Sequence, residues 1–323
     1  MKGRDDLSAK TSKAPLVDAK KKPMTFGKAV QRYWVLYLML AVIVAYYMVF
    51  HYYTIYLGVM MALKKMKVGL SIAKAEWVGL ANFIDIVTDS EIQRVVINTL
   101  RMSCYRLFWT FWPPIVLAIM IFDLTSALYK RICQTLVYIP HFFSWVVVYG
   151  IVFSFFSQAG LINAFLQYLG IGNVNFLMDS KKFLPLLIGS QVWKGAGWGT
   201  ILYFAAMTNV NPELYEACRI DGAGPMRRTW VVTVPEMLPV VSFSLIMALA
   251  SILGNDFEQV LLFYNPSVYS VGDIIETWVY RVGLGTMQYS TGSAVSLLKA
   301  IVSMVLVISA NYVANRVAGR GMW

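Results

Sequence analysis

The residues whose types and spacing bear chemistry are concentrated in one polar stretch. It comprises Glu216-Ala217-Cys218, then Asp221-Gly222-Ala223, then Val232-Thr233-Val234-Pro235, with Glu213 just ahead of them. None of this has the makings of covalent catalysis: the chain shows no serine elbow, no paired nucleophile and base and no zinc motif, so no catalytic residue is assigned. His51 and His141 have no partner at metal-ligand spacing. Cys104, Cys133 and Cys218 are odd in number and scattered, so they read as packing residues and no metal site is expected. The one Gly-Lys pair, Gly27-Lys28, falls outside the G-x4-G-K-[ST] frame of a phosphate loop. What remains is non-covalent chemistry: an acidic helix that docks a partner, and polar side chains set within apolar runs.

Those groups are positioned by elements that fold in lipid. Of 323 residues, 58% are hydrophobic and 14% charged, against about a quarter charged in soluble domains. A hydrocarbon core about 30 Å thick requires roughly 20 apolar residues per helical span. Six runs satisfy this: Tyr33 to Leu57, Ile97 to Phe122, Ile132 to Phe156, Phe183 to Met207, Met237 to Leu262 and Ala294 to Ala314. The first lacks a small-residue cleavage site and reads as a retained span, not a signal peptide. With the N-terminus inside, segments 2–32, 123–132, 208–236 and 312–323 hold sixteen Lys and Arg, against eight in 58–96, 157–182 and 263–293. Positive-inside bias therefore predicts a membrane protein with both termini in the cytoplasm. The net charge of +11 follows this topology, so nucleic acid is not an expected partner.

The expected organisation is a cytoplasmic tail with a surface helix over 1–32, a first transmembrane helix over 33–57, an external segment over 58–96, a five-helix core over 97–316 and a cytoplasmic tail over 317–323. Within the cytoplasmic stretch Thr208 to Glu236, Asn211-Pro212-Glu213 is a helix start, with Asn as cap, Pro at the first position and Glu beside the positive end. That helix runs to Gly222, where Gly-Ala-Gly-Pro turns the chain. A second short helix, Met226 to Val231, ends before Pro235. The product is a compact knob between two spans.

The spelling of the knob resembles the EAA loop of bacterial binding-protein-dependent permeases: E-A-A, three residues, G, nine residues, then I-x-L-P. Here Cys218 replaces the second Ala, and Val232 and Val234 replace Ile and Leu. Two further regions are similar to the LplB-like branch of the MalF-type carbohydrate permeases. These are Phe257-Glu258-Gln259-Val260 through Val279-Tyr280-Arg281, and Gln191-Val192-Trp193-Lys194 with Gly195, Gly197 and Gly199. The resemblance implies an all-α, polytopic membrane protein of six transmembrane helices, with a MetI/MalF-like permease core and an EAA coupling helix. It implies that Glu216, Ala217 and Gly222, with Glu213, Cys218, Asp221, Ala223 and Pro235 around them, couple to a cytoplasmic ATPase. The implied partners are a dimer of ATPase subunits that hold ATP and Mg2+, a second homologous permease subunit, an extracytoplasmic solute-binding protein, membrane lipid and a saccharide cargo. This chain itself would bind no cofactor and would not be an enzyme.

The cargo would be an oligosaccharide or polysaccharide; the basic balance is compatible with an acidic one such as alginate, although most of that charge is cytoplasmic. Charged groups within spans cost at least about 2.5 kcal/mol at the centre and usually face a bundle interior or an aqueous path. Arg101, Arg106, Lys194, Asp256, Glu258 and Lys299 are such groups. Aromatic faces with hydrogen-bonding side chains suit sugars, so Tyr149, Trp193, Lys194, Trp198, Tyr203, Asn255 and Glu258 are the candidate lining. The glycine row at 195, 197 and 199 misses the GxxxG spacing yet permits close approach, while Pro113-Pro114 and Pro140 mark kinks. The competing reading, a secondary transporter, would show inverted repeats and need no docking knob.

Overall fold

A computed structural model describes residues 26–254 and 256–318. Asn255 and the tails 1–25 and 319–323 lie outside the described residues. The chain divides into two units, Met1–Tyr56 and Leu57–Trp323.

In the first unit a seven-residue helix, Phe26–Arg32, leads through a bend at Tyr33 into a long helix that begins at Trp34. A π turn over Met48–Tyr52 interrupts it. Its residues are apolar on every side and none from Trp34 to Tyr52 is buried within the chain, the pattern of a membrane span.

Among the described residues, five helices are long and apolar enough to cross a membrane: Trp34–Leu63, Ser90–Phe122, Trp145–Tyr168, Pro225–Leu249 and Tyr289–Ser309. A sixth, Ser180–Thr208, has 29 residues, but three lysines and a run of glycines dilute its hydropathy. After the first span, an antiparallel pair, Lys64–Lys65 with Glu76–Trp77, and the helix Ala81–Thr88 are tied back by Asn82, whose Nδ2 donates to the Ala62 carbonyl at 2.7 Å.

The helices Ser90–Phe122 and Ser180–Thr208 form the axis of the second unit. Each begins with an aspartate cap: Asp89 accepts from the Glu91 and Ile92 amides, and Asp179 from that of Lys181. They run parallel, because Met102 shares a core with Phe183 and Leu187, Pro114 lies against Gly199, and the Phe122 ring lies 5.7 Å from that of Phe204. Their approach needs the missing side chains. A Cβ on Gly199 would lie 2.9 Å from Pro114, and one on Gly197 only 1.8 Å from the carbonyl oxygen of Val137.

Three boundaries differ from the sequence expectation. The run Ile132 to Phe156 is not one helix: Ala127–Tyr138 ends in a 3-10 turn over Ile139–Phe142, and Trp145–Phe156 starts afresh. Pro140 lacks the N–H a continuing helix requires, and Ser144 caps the new one by accepting from the Val147 amide. Likewise, the run Met237 to Leu262 is cut. Its helix stops at Ala250, a turn closed by Gly254 N to Ser251 O at 2.8 Å follows, and Phe257–Phe263 begins again. Finally, the helix begun at Pro225 does not stop before Pro235. It passes through a π turn at Thr229–Thr233 into Val234–Ala250. The wider turn, closed by Val234 N to Thr229 O, leads into the residue that has no N–H to give.

Candidate coupling knob and polar path

The knob is built as its residues dictate. Asn211 caps the helix Pro212–Ile220 by accepting from the Glu213 amide at 3.1 Å, with Pro212 at the first position. At the other end Gly222 takes φ +72°, Ala223 N donates to Cys218 O at 2.9 Å and Gly222 N to Arg219 O at 3.1 Å. This is a Schellman stop, and it requires a left-handed residue where only glycine is free of strain. Glycine therefore serves the turn itself: a Cβ there would meet nothing within 4 Å in this chain.

Two hydroxyl contacts bind the knob to the bundle. The Tyr215 hydroxyl lies 3.1 Å from Thr233 Oγ1, and Thr229 Oγ1 donates to Asp123 Oδ2 at 3.0 Å. A cleft of about 380 Å³ separates these elements, lined by Asp123, Glu216, Arg219 and Arg228 among others. Glu213, Glu216, Ala217, Asp221 and Pro235 are exposed, and Cys218 and Ala223 half-buried. Beside them stand large apolar side chains that the chain leaves uncovered: Ile220 at 87% exposure, Met226 at 73% and Trp230 at 65%. The knob thus presents bare apolar residues next to carboxylates on a capped helix.

The candidate path residues do not all converge. Lys194 and Trp198, one helical turn apart, meet at His141: the lysine Nζ donates to the His141 carbonyl at 2.8 Å, and the Trp198 ring stacks on the imidazole at 4.4 Å. The same ammonium lies 5.3 Å above the Trp145 ring. Trp193 is exposed, 6.4 Å from the Phe143 ring, and Glu258 is exposed on the helix after the break. Tyr149 packs on Phe263 and Phe153 as part of a core wall. Tyr203 does not line an opening. It is 4% exposed, belongs to the core with Ile115, Met207 and Met237, and shares a 2.8 Å hydrogen bond with Ser244. Burial holds its hydroxyl in that pair. Asn255 lies outside the described residues.

Two polar clusters were not singled out by sequence reasoning as units. Arg106 is 6% exposed and reaches the side-chain oxygen of Gln259 at 2.7 Å, while Gln259 Nε2 donates to Leu187 O and Ser190 Oγ. Nearer the other end, Asp273 is fully buried and receives Arg281 and Thr277, and Arg281 also reaches Glu91 at 3.1 Å. Asn98 closes the region by donating to the carbonyls of Ser270 and Asp273 at 3.1 and 3.3 Å. Burial pushes the Asp273 carboxyl above its ordinary range, against the opposing pull of Thr277 and Arg281. The quoted strings held the signal, since Gln259, Asp273 and Arg281 all fall within them, but their pairing spans up to 190 residues.

The match that decides the class covers residues 104–320, which fit the family described as binding-protein-dependent transport system inner membrane component. The chain belongs to this family. It is 37% identical to Protein LplB of Bacillus subtilis (strain 168) over 96% of this chain and 97% of that protein. It is also 37% identical to the polygalacturonan/rhamnogalacturonan transport system permease protein YteP of the same organism, over 97% and 98%. Two crystal structures of bacterial transporters match it in three dimensions. One, an ABC transporter involved in import of the acidic polysaccharide alginate, superposes with TM-score 0.83 at 34% identity, covering 90% of this chain and 98% of the other. The second, an alginate transporter in complex with an alginate pentasaccharide-bound periplasmic protein, gives 0.84 at 33% over 92% and 99%. The chain is thus a multi-pass inner-membrane permease subunit that works within a larger transporter, and not an enzyme. A secondary transporter is excluded by the same membership.

Proposed function

We propose that this permease subunit imports an oligosaccharide, with an acidic polysaccharide fragment of the alginate or polygalacturonan type as the favoured cargo. The observation that carries the reading is the knob: a capped helix with exposed Ile220 and Met226 beside Glu216, fixed to two bundle helices by Thr229 and Tyr215. Such a part receives force. In this reading a dimer of ATPase subunits, holding ATP and Mg2+, grips Glu213, Glu216, Ala217, Cys218, Asp221, Gly222 and Ala223. Both termini and the knob face the cytoplasm, and a second homologous permease completes the path. A loaded solute-binding protein docks on the opposite side, and closure of the ATPases switches the bundle between its two access states. Of the candidate lining, Trp193, Trp198 and Glu258 are exposed and open enough to meet cargo, with half-buried Lys194 beside Trp198. Saccharide specificity is supported by the name of the polygalacturonan/rhamnogalacturonan permease YteP, 37% identical along nearly the whole chain, and by the alginate transporters matched at 33–34% identity.

The test is reconstitution with the ATPase, the second permease and the cognate binding protein in proteoliposomes. Alginate and galacturonate oligomers should stimulate ATP hydrolysis and accumulate inside, and Ile220→Asp should abolish the stimulation while leaving the two permeases associated. Stimulation that persists in Ile220→Asp would remove the coupling assignment. Uptake confined to neutral sugars would remove the acidic cargo and leave the coupling intact.

A further inference from the structure

A cleft of about 840 Å³ runs between the two parallel axis helices, at the end of the molecule away from the knob. Its polarity is one-sided. Arg101 and Tyr105 on one helix, with Ser180 and Lys181 on the other, stand at the N-terminal end of both lining runs. Further along come Trp109 and Pro113 opposite Leu184, Ile188 and Val192, and of these only Trp109 carries a hydrogen-bonding group. Because the helices are parallel, both basic residues lie at the same mouth. Arg101 has no ion pair among the described residues, and Asp179 is engaged by Lys182 at 2.9 Å, which leaves the Lys181 ammonium without a salt bridge there. Arg101, Tyr105 and Trp109 are exposed in this chain.

The length of the cleft fits one leaflet. From Arg101 to Pro113 is twelve residues and from Lys181 to Val192 eleven, so at 1.5 Å per residue each wall is about 17 Å long. Half of a 30 Å hydrocarbon core is about 15 Å. We propose that this cleft binds an anionic diacyl phospholipid, its phosphate between Arg101 and Lys181 and one acyl chain along Leu184, Ile188 and Val192. A basic mouth above an apolar trough complements a lipid with charge at one end only. An acidic oligosaccharide carries polar groups on every ring and would need partners down the full length, where this cleft offers carbon. The proposal rests on the membrane assignment alone and stands whatever the cargo.

The experiment uses the assembled transporter in nanodiscs of phosphatidylglycerol and phosphatidylethanolamine, followed by detergent extraction and mass spectrometry of the lipid that remains. Wild type should retain phosphatidylglycerol in preference to phosphatidylethanolamine. Each basic residue near a membrane surface is worth about a five-fold change in affinity for anionic lipid, so the Arg101→Gln, Lys181→Gln double variant should reduce that preference about thirty-fold. A second variant tests the trough with the charges in place. A Cβ on Gly189 would meet nothing within 4 Å, so Gly189→Leu should fill the cleft and displace the lipid without disturbing the fold. Unchanged retention in both variants overturns the proposal. Displacement of the lipid by galacturonate oligomers makes the cleft a cargo site and overturns it, as does efficient crosslinking of Gly189→Cys to a helix of the second permease.

Discussion

Substituting alanine along the row Gly195, Gly197, Gly199 should give three different outcomes from one chemical change. In a helix interior, glycine is about 0.8–1.0 kcal/mol less favourable than alanine, so an unobstructed replacement stabilises. Gly195 is unobstructed, with nothing within 4 Å of an added Cβ. At Gly197 the Cβ would stand 1.8 Å from the carbonyl oxygen and 2.4 Å from the carbonyl carbon of Val137. Comfortable carbon contacts lie near 3.5–4.0 Å, and the obstacle is backbone that cannot rotate away. Overpacking costs about 1–3 kcal/mol and occasionally more, and here the upper end applies, leaving a net loss of about 2 kcal/mol after the propensity gain. At Gly199 the neighbours are Pro114 Cβ and Cγ at 2.9 Å, a ring that moves slightly, so the outcome falls between. With a melting shift of about 2–4 °C per kcal/mol, Gly195→Ala and Gly197→Ala should differ by about 6–12 °C. The assay is thermal unfolding of the detergent-purified transporter, followed on this subunit. Equal melting temperatures for Gly195→Ala and Gly197→Ala would refute the packing argument.

Gly222→Val should lose coupled ATP hydrolysis more than Gly222→Asn, because the left-handed position costs an L-residue about 1–2 kcal/mol and asparagine tolerates it best; equal activity of the two would contradict the role of the Schellman stop. Asn98→Ala should lower the melting temperature by an amount equivalent to about 1–3 kcal/mol, since the Ser270 and Asp273 carbonyls lose their buried donor; an unchanged melting curve would show that donor to be dispensable. The pH dependence at Asp273 has a defined sign. Its carboxyl is raised above 3.8 by burial, so the associated stability is present in full below 3.8 and is lost as pH rises through the raised value. Wild type should therefore gain stability relative to Asp273→Asn as the pH falls toward 3.8, measured by melting at stepped pH. A difference that is flat or of opposite slope would show that Arg281, not burial, governs this carboxyl.

What could be read from sequence was local. Asn211, Pro212 and Gly222 announced a helix with its start and stop because caps act through neighbouring residues, and the structure realises each with the expected bonds. Apolar run length located the spans, but not their breaks at Ile139–Phe142 and after Ala250, since interior proline and serine are compatible with both kinks and stops. Pro235 misled for the same reason: proline ends a helix only when the chain has no wider turn to place before it. Tyr203 shows the other limit. An aromatic hydroxyl in a span looks the same in sequence whether it faces a path or Ser244, and only the packing of Met207 and Met237 around it decides. The Arg106 to Gln259 contact crosses 153 residues, beyond any periodicity.

The attachment of the knob indicates which helices a docked partner would move. If the helix Pro212–Ile220 hung only from its two chain ends, force on it would be dissipated by flexing of Asn209 to Asn211 and of Gly222 to Gly224. It is instead tied through Tyr215 to Thr233 and, by way of Thr229, to Asp123 at the end of the long helix Ser90–Phe122. Lys130 adds a clasp, donating to the Phe122 carbonyl at 2.8 Å and lying 5.1 Å and 5.6 Å from the Phe122 and Phe204 rings. Phe204 belongs to the helix that enters the knob and Thr233 to the one that leaves it. A displacement of the knob is therefore imposed on three helices together. The break after Ala250 separates these helices from the next one, which Gln259 anchors to Leu187 and Ser190 by separate bonds. Thr229→Val removes the Asp123 link while preserving shape, so it should uncouple ATP hydrolysis from transport without releasing the ATPase, and tight coupling in that variant would place the force elsewhere.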